Sequence, residues 1–504
     1  MRLNLSTLES ANAHIKPSAQ SLNADVGIVH LGFGAFHRAH QALITDTVMR
    51  EHGGDWKIVG VSWGRSGVET QLAPQDNLYS VGVGYNDDLS IQVIGAIKEI
   101  LTVKQTREIL DYMCSEKVKI VSLTVTEKGY CHQPSTGDLD LAHPLIQHDL
   151  THLDAPQSAI GFIVSALNQR KQQGIAPFTP MSCDNLPENG QVLEKVVLQF
   201  AKAFDDDLHQ WIKANVTFPC TMVDRIVPRT TDADVARIEQ TLGVTDQGCV
   251  MTEPFLQWVI EDKFVNGRPQ WEATSIDNIQ ITHNVVPFEE MKLRLLNGTH
   301  SAMAYLGYLA GYQTVADTIH DSDFHTFIRY LMDVEITPSI RIKEVDLNHY
   351  KDQLIERYQN RGLQHRTWQI AMDGSQKIPQ RMLQTLAFAI EQQYSTPGIY
   401  LTLAAWIRYT SGQDEQGQAI DVQDPLAEQF ADIWHSAGSN YAQVVEQFLA
   451  MDNVFPAQLA AKPEVKQQLT EALEHIIKHG AKASIEQLLR SNHPASPSDS
   501  LADD

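Results

Sequence analysis

Residues 26–37, Val-Gly-Ile-Val-His-Leu-Gly-Phe-Gly-Ala-Phe-His, are the stretch on which the fold turns. The run from Val26 to Leu31 is apolar and short, as a buried strand is. It ends in Gly32-Phe33-Gly34, and the residues near 37–52 are amphipathic at a helical period. Two glycines between a strand and a helix allow a tight turn. They also let a diphosphate come close to the backbone N–H groups of a helix N-terminus. Gly32, Phe33, Gly34, Ala35, Phe36 and His37 are therefore candidate dinucleotide-binding residues. A plain strand-to-helix turn is the alternative, because a GxG alone is weak evidence.

Further strand-like runs lie at 56–62, 118–125, 177–183 and 217–223, with amphipathic stretches near 104–116, 157–172 and 190–214 between them. Such alternation predicts a doubly wound parallel sheet covered by helices on both faces. From about 286 onward the pattern changes to long helical periodicity, as at 287–312, 377–394, 399–411, 424–450 and 463–490. The division predicted is an α/β nucleotide-binding domain over 1–285 and a mainly helical domain over 286–490. A Pro/Ser/Asp-rich mobile tail is expected over 491–504. His37 stands where a dinucleotide turn often has its third glycine. The second strand-like run ends Val61-Ser62-Trp63-Gly64-Arg65, without an acid for a ribose 2′-OH. Arg65 would suit a 2′-phosphate, so these residues leave both NAD and NADP open.

Composition removes other classes. The 504 residues are enough for two or three domains, and 43% hydrophobic with 20% charged is globular composition. Lys plus Arg is 39 and Asp plus Glu is 62, a formal charge of −23. A surface that acidic repels nucleic acid and anionic lipid, so neither is expected as a partner. No apolar run is long enough to span a membrane, and the first residues lack the apolar core of a signal peptide. The five cysteines form no CxxC pair, as expected of free thiols in a cytoplasmic protein. No structural zinc framework is visible; His37 and His40 are spaced i, i+3 but lack a nearby Cys or carboxylate. No metal is expected.

The segment 289–300, Glu-Glu-Met-Lys-Leu-Arg-Leu-Leu-Asn-Gly-Thr-His, carries the most chemistry. At about 100° per residue, with Lys292 at 0°, Glu289 falls near 60°, His300 near 80° and Asn297 near 140°. A solvent-facing polar stripe is one reading. The continuation Ser-Ala-Met-Ala-Tyr-Leu-Gly-Tyr over 301–308 is too apolar for a surface helix, which favours burial. A buried lysine can exchange a proton near neutral pH, and an asparagine amide can stabilise an alkoxide. A histidine can orient a hydroxyl, and Glu289 can pass a proton to water. None of the tyrosines stands four residues before a lysine, and there is no GxSxG or Walker sequence.

The stretches GFGAFHRAHQ, SLTVTEKGY, SCDN, VDRIVP and KxxxxNGTH resemble the polyol-specific long-chain dehydrogenase/reductase family, the mannitol dehydrogenase family, over roughly residues 24–490. Longer stretches, SLTVTEKGYC, FPCTMVDRIVP, WVIEDKFVNGRP and HRTWQIAMDGSQKIPQR, are most similar to its fructuronate reductase branch. The resemblance implies an N-terminal Rossmann domain, a helical C-terminal domain, a metal-free site in the cleft between them, and NAD(H)-dependent hydride transfer on a uronate or polyol. By the same resemblance Lys292 is the general acid/base, and Asn297 and Asn185 are the oxyanion amides. His300 orients substrate, Glu289 is a proton relay, Asp224 lines the site, and Gly32 to His37 form the dinucleotide turn. Where mannitol enzymes have Arg-x-x-His-Asp-Gly, this chain has Gln369-Ile370-Ala371-Met372-Asp373-Gly374. That leaves His365, Arg366, Lys377 and Arg381 as a local cationic set for a substrate carboxylate, with surface salt bridges as the alternative. Members are often monomeric; self-association of an acidic helical domain is the alternative.

Overall fold

The computed structural model describes residues 1–64, 67–133, 136–362 and 365–492. The chain forms two compact units, Met1–Val286 and the residues from Pro287 onward.

Among the described residues of the first unit lie eleven strands: β1 (Val26–Leu31), β2 (Lys57–Ser62), β3 (Tyr79–Tyr85), β4 (Asp88–Ile94), β5 (Ile97–Thr102), β6 (Ile120–Leu123), β7 (Thr179–Ser182), β8 (Thr221–Asp224), β9 (Val250–Thr252), β10 (Gln257–Glu261) and β11 (Ile279–Thr282). The main sheet has the order β5-β2-β1-β6-β7. All its pairings are parallel, a Rossmann-type arrangement. Helices pack on both faces, so β1 reads as a continuous apolar run rather than an alternating one. Two details seat the turn after β1. Gly60 on β2 lies under the Phe33 ring, and a Cβ there would come within 2.5 Å of it. His30 on β1 places Nδ1 2.8 Å from Ser122 Oγ and Nε2 2.9 Å from Thr124 Oγ1, which ties β1 to β6.

The run at 217–223 becomes β8, but not as another parallel strand of the main sheet. It pairs antiparallel with β10 in a separate sheet of order β11-β10-β8. An apolar run indicates a buried strand and carries no information on its partner or direction. The hairpin β3–β4, β5 and β9 to β11 were not read from the sequence. The hairpin turns at Asn86-Asp87, with Asn86 at φ 51°, the short polar turn that such backbone favours.

The second unit is helical. Helix Pro397–Tyr409 packs against helix Pro463–His479. Trp406 sits 5.4 Å, centroid to centroid, from Phe448, which stacks on Phe430. Buried Glu335 accepts hydrogen bonds from the N–H groups of Gly398 (2.7 Å) and Ile399 (2.8 Å), capping that central helix. The helical stretch read at 424–450 breaks into Ala427–Ala437 and Tyr441–Leu449. Gly438 at φ 55° ends the first piece, and the Asn440 side chain caps the second by accepting from Gln443 N. The last helix runs Ala481–Asn492, so Ser491 and Asn492 of the expected tail are helical. The rest of that tail, 493–504, lies outside the described residues.

Candidate active site

In the first unit the turn after β1 has the room and the donors a dinucleotide diphosphate requires. Gly32 has φ +93°, and a Cβ there would lie 2.1 Å from Thr124 O, so only glycine fits. A Cβ on Gly34 would meet nothing nearer than Gly32 O at 3.8 Å, which leaves its face open to close approach. The amides of Gly32 and Phe33 both donate to Val61 O at 3.0 Å. Gly34 is the N-cap of helix Ala35–Ala39 and offers no side-chain cap, so the amides of the first turn keep their donor capacity for a ligand. Phe33 and His37 are buried beneath the turn. The His37 ring stacks on His30 with centroids 3.5 Å apart. This flat stack lets an imidazole occupy the place of a third glycine without pushing helix and strand apart. Burial, then His30, His40 and Arg38, hold the His37 pKa well below the usual histidine range. Ser62 Oγ accepts from Gly64 N at 3.0 Å. Arg65 lies outside the described residues.

Asn185 is exposed just beyond β7. Its neighbour Asp184 fixes the loop. That carboxylate accepts from Val125 N (3.0 Å), Thr126 N (2.9 Å) and Tyr130 Oη (2.9 Å). Asn189 Nδ2 donates to the Asp184 carbonyl at 2.9 Å and to Thr221 O at 2.8 Å. The clamp thus joins the C-terminal ends of β6 and β7, the edge of the parallel sheet where ligands of such folds bind, to the start of β8 in the separate sheet. Asp184 and Asn189 were not singled out in the sequence. Asp224 is the last residue of β8, buried and paired in register with Gln257.

In the second unit, Glu289, Lys292, Asn297 and His300 are all buried, between 6% and 7% exposed. The solvent-facing stripe is therefore excluded. The helix geometry also differs from the α-helical wheel. Val286–Met291 is α-helical, Lys292–Asn297 is a π-helix, and Gly298–Ala302 is α-helical again. With i→i+5 bonding a residue turns only roughly 80–85°, so Asn297 falls about 40–65° from Lys292 rather than 140°. The wider turn gathers Lys292 and Asn297 toward one direction. Asn297 Nδ2 and His300 Nε2 are buried and have no hydrogen-bond partner among the described residues.

The His300 ring lies 4.9 Å from Tyr358 and 5.2 Å from His365, edge-on at 89° to the latter. Tyr358 Oη is 2.7 Å from Thr299 Oγ1, which holds that aromatic wall against the helix. Burial drives the His300 pKa well below its ordinary value, and His365, Arg357, Arg381 and Lys292 add to the effect. Arg381 donates from Nη1 to Asn297 O (3.3 Å) and Ser301 Oγ (3.1 Å). Lys377 donates to the carbonyls of Ile370 (3.2 Å) and Met372 (2.5 Å). Arg366 is exposed. Of the cations expected near a carboxylate, the structure brings Arg381 and His365 to the Asn297–His300 face, gives Lys377 to backbone carbonyls, and leaves Arg366 on the surface. Buried Arg357 joins the set and was missed; a lone arginine in a helical stretch carries no signal of burial. Among the described residues no three His, Cys, Asp or Glu side chains converge as metal ligands would.

The fold and these two faces define an oxidoreductase: the chain belongs to the mannitol dehydrogenase family. The family's Rossmann domain matches residues 26–273 and its C-terminal domain residues 284–477. An Escherichia coli (strain K12) relative described as the uncharacterized oxidoreductase YeiQ is 45% identical over 92% of this chain and 94% of its own length. D-mannonate oxidoreductase of the same organism is 44% identical over 96% of this chain and 100% of its own. The structure of Pseudomonas fluorescens mannitol 2-dehydrogenase, a ternary complex with NAD and D-mannitol, superposes with a TM-score of 0.86. It shares 38% identity and covers 97% of this chain and 100% of that one.

Proposed function

We propose that the protein transfers hydride reversibly between D-fructuronate and D-mannonate, with NAD(H) as cosubstrate and without a metal. The observation that carries this reading is the cationic lining of the Asn297–His300 face: Arg381 donates to Asn297 O and Ser301 Oγ with no carboxylate partner among the described residues, and Arg357 is buried in the same helical unit. An interior of that sign suits a substrate that brings its own carboxylate. The 44% identity to D-mannonate oxidoreductase over nearly the whole of both chains supports the same choice.

The amides that follow Gly34 would hold the diphosphate of the dinucleotide, which supplies or accepts the hydride when bound. Asn297 Nδ2 donates to the substrate carbonyl oxygen, whose negative charge grows during reduction. Asn185 is proposed as a second amide donor. Lys292 gives a proton to that oxygen in reduction and takes it back in oxidation. His300, held neutral, orients the adjoining hydroxyl through Nε2. Glu289 relays the proton between Lys292 and water, and Asp224 lines the substrate site.

The mannitol 2-dehydrogenase structure supports a second reading, a polyol 2-dehydrogenase; tagaturonate reduction is a variant of the first. A panel of D-fructuronate, D-tagaturonate, D-fructose, D-mannonate and D-mannitol, followed by NADH and NADPH absorbance, separates them. Turnover of fructuronate and mannonate with NAD(H) is the expected result. Turnover of mannitol and fructose alone would overturn it.

A further inference from the structure

The following rests on the keto-uronate reading above. Arg381 is a half-buried guanidinium whose hydrogen bonds run only to a carbonyl and a hydroxyl, Asn297 O and Ser301 Oγ. No carboxylate among the described residues pairs with it. Burial pulls its pKa down to about 10. Removing such a cation from water is costly when its partners are neutral, and an incoming anion recovers that cost. His365 presents a second unsatisfied group beside it. Its Nδ1 is buried without a hydrogen-bond partner. Its backbone is held by Val315 N, which donates to His365 O at 3.0 Å, and its ring lies edge-on to His300 at 5.2 Å. Arg357, Lys377 and Arg381 are the charged groups that act on it. Lys377 is directed to two backbone carbonyls, Ile370 O and Met372 O. A substrate carboxylate is therefore left to Arg381 and His365.

We propose that Arg381, His365 and Arg357 form the subsite that receives the terminal carboxylate of the substrate, and that His365 discriminates a carboxylate from the hydroxymethyl group of a neutral polyol. Arg381 supplies the planar fork that matches a carboxylate. His365 donates its ring N–H to one carboxylate oxygen. Arg357 sets the sign of the field behind them. A hydroxymethyl group in the same place leaves Arg381 without a counter-charge, so the subsite selects by the difference between the two.

The test compares wild type, His365→Asn, Arg381→Met and Arg381→Lys in the ratio of kcat/KM for D-mannonate to that for D-mannitol. NADH binding, followed by fluorescence, reports that each variant is folded. Arg381→Met and His365→Asn should each lower the ratio by about 10- to 100-fold, mainly through KM for mannonate. Arg381→Lys should recover part of it, because charge survives while the fork is lost. A merely structural role would lower both substrates together and leave the ratio unmoved. If wild type turns over mannonate and the ratio is unchanged in His365→Asn and Arg381→Lys, the subsite is wrong while the function stands. If wild type turns over mannitol and ignores mannonate, both fall.

Discussion

Lys292, Asn297 and His300 illustrate how much a few side chains depend on burial. A polar atom removed from water without a partner is destabilising, yet Asn297 Nδ2 and His300 Nε2 are kept that way. Such groups persist where something outside the chain completes them. Asn297→Ala should therefore lower kcat on the order of 100-fold, as loss of one oxyanion donor does, while the apparent melting temperature changes little or rises. Steady-state kinetics with a thermal melt on one preparation reads both; a large fall in both would mean Asn297 is structural. Lys292→Ala should lower turnover at pH 7 by at least about 100-fold, with the NADH dissociation constant unchanged. Near-normal turnover in that variant would remove Lys292 from the acid/base role.

Backbone elements decide where those side chains stand, and here sequence reading was uneven. The turn after β1 and the strands at 26–31, 56–62, 118–125 and 177–183 were legible, because a strand buried on both faces is a short apolar run. The segment 289–300 was legible as a buried polar face. Its π-helical turn was not, because a shift from i→i+4 to i→i+5 bonding comes from packing and leaves no period of its own over six residues. Arg381 lies on a second π-helix, Pro379–Leu383, which packs against the first. Gly298, directly after the first, stands close to the second: a Cβ there would lie 3.1 Å from Arg381 O. Gly298→Ala should push the two turns apart by a few tenths of an ångström and cost activity more than stability, about 10-fold in kcat/KM. An unchanged kcat/KM would show that the spacing is not critical. Thr126, after β6, has φ 63° and ψ 167°, a region nearly reserved for glycine, and its N–H is fixed by Asp184. Thr126→Gly should relieve about 1 kcal/mol net, raising the denaturation midpoint. A lower midpoint would mean that the Thr126 side chain contributes more than its backbone costs.

At the scale of the whole molecule, an acidic surface of formal charge −23 encloses an interior rich in neutral histidine. Burial holds His30 at about 3 and His365 at about 4, with His37 and His300 also well below the ordinary value near 6.5. Between about pH 4 and 6.5 the unfolded chain binds protons on these four side chains that the native chain does not. Their contribution is thus complete above 6.5 and is lost on acidification. Asp46 and Glu335 act in the opposite sense. Burial raises each to about 7, so the native chain keeps two protons that the unfolded chain has released, and stability falls as pH rises toward 7. With the histidines prevailing, the melting temperature should drop as pH falls from 6.5 toward 4. Asp46→Asn removes one opposing group: its Oδ1 accepts from Gly95 N at 2.8 Å, a bond the amide oxygen preserves. The slope of stability against pH near 5.5 should then steepen by about one proton. Melts across pH 4.5–7.5 at fixed ionic strength, with the surface charge equally screened throughout, measure it. A wild-type melting temperature that is flat or rises on acidification would show that the buried histidines are not neutral in the native protein.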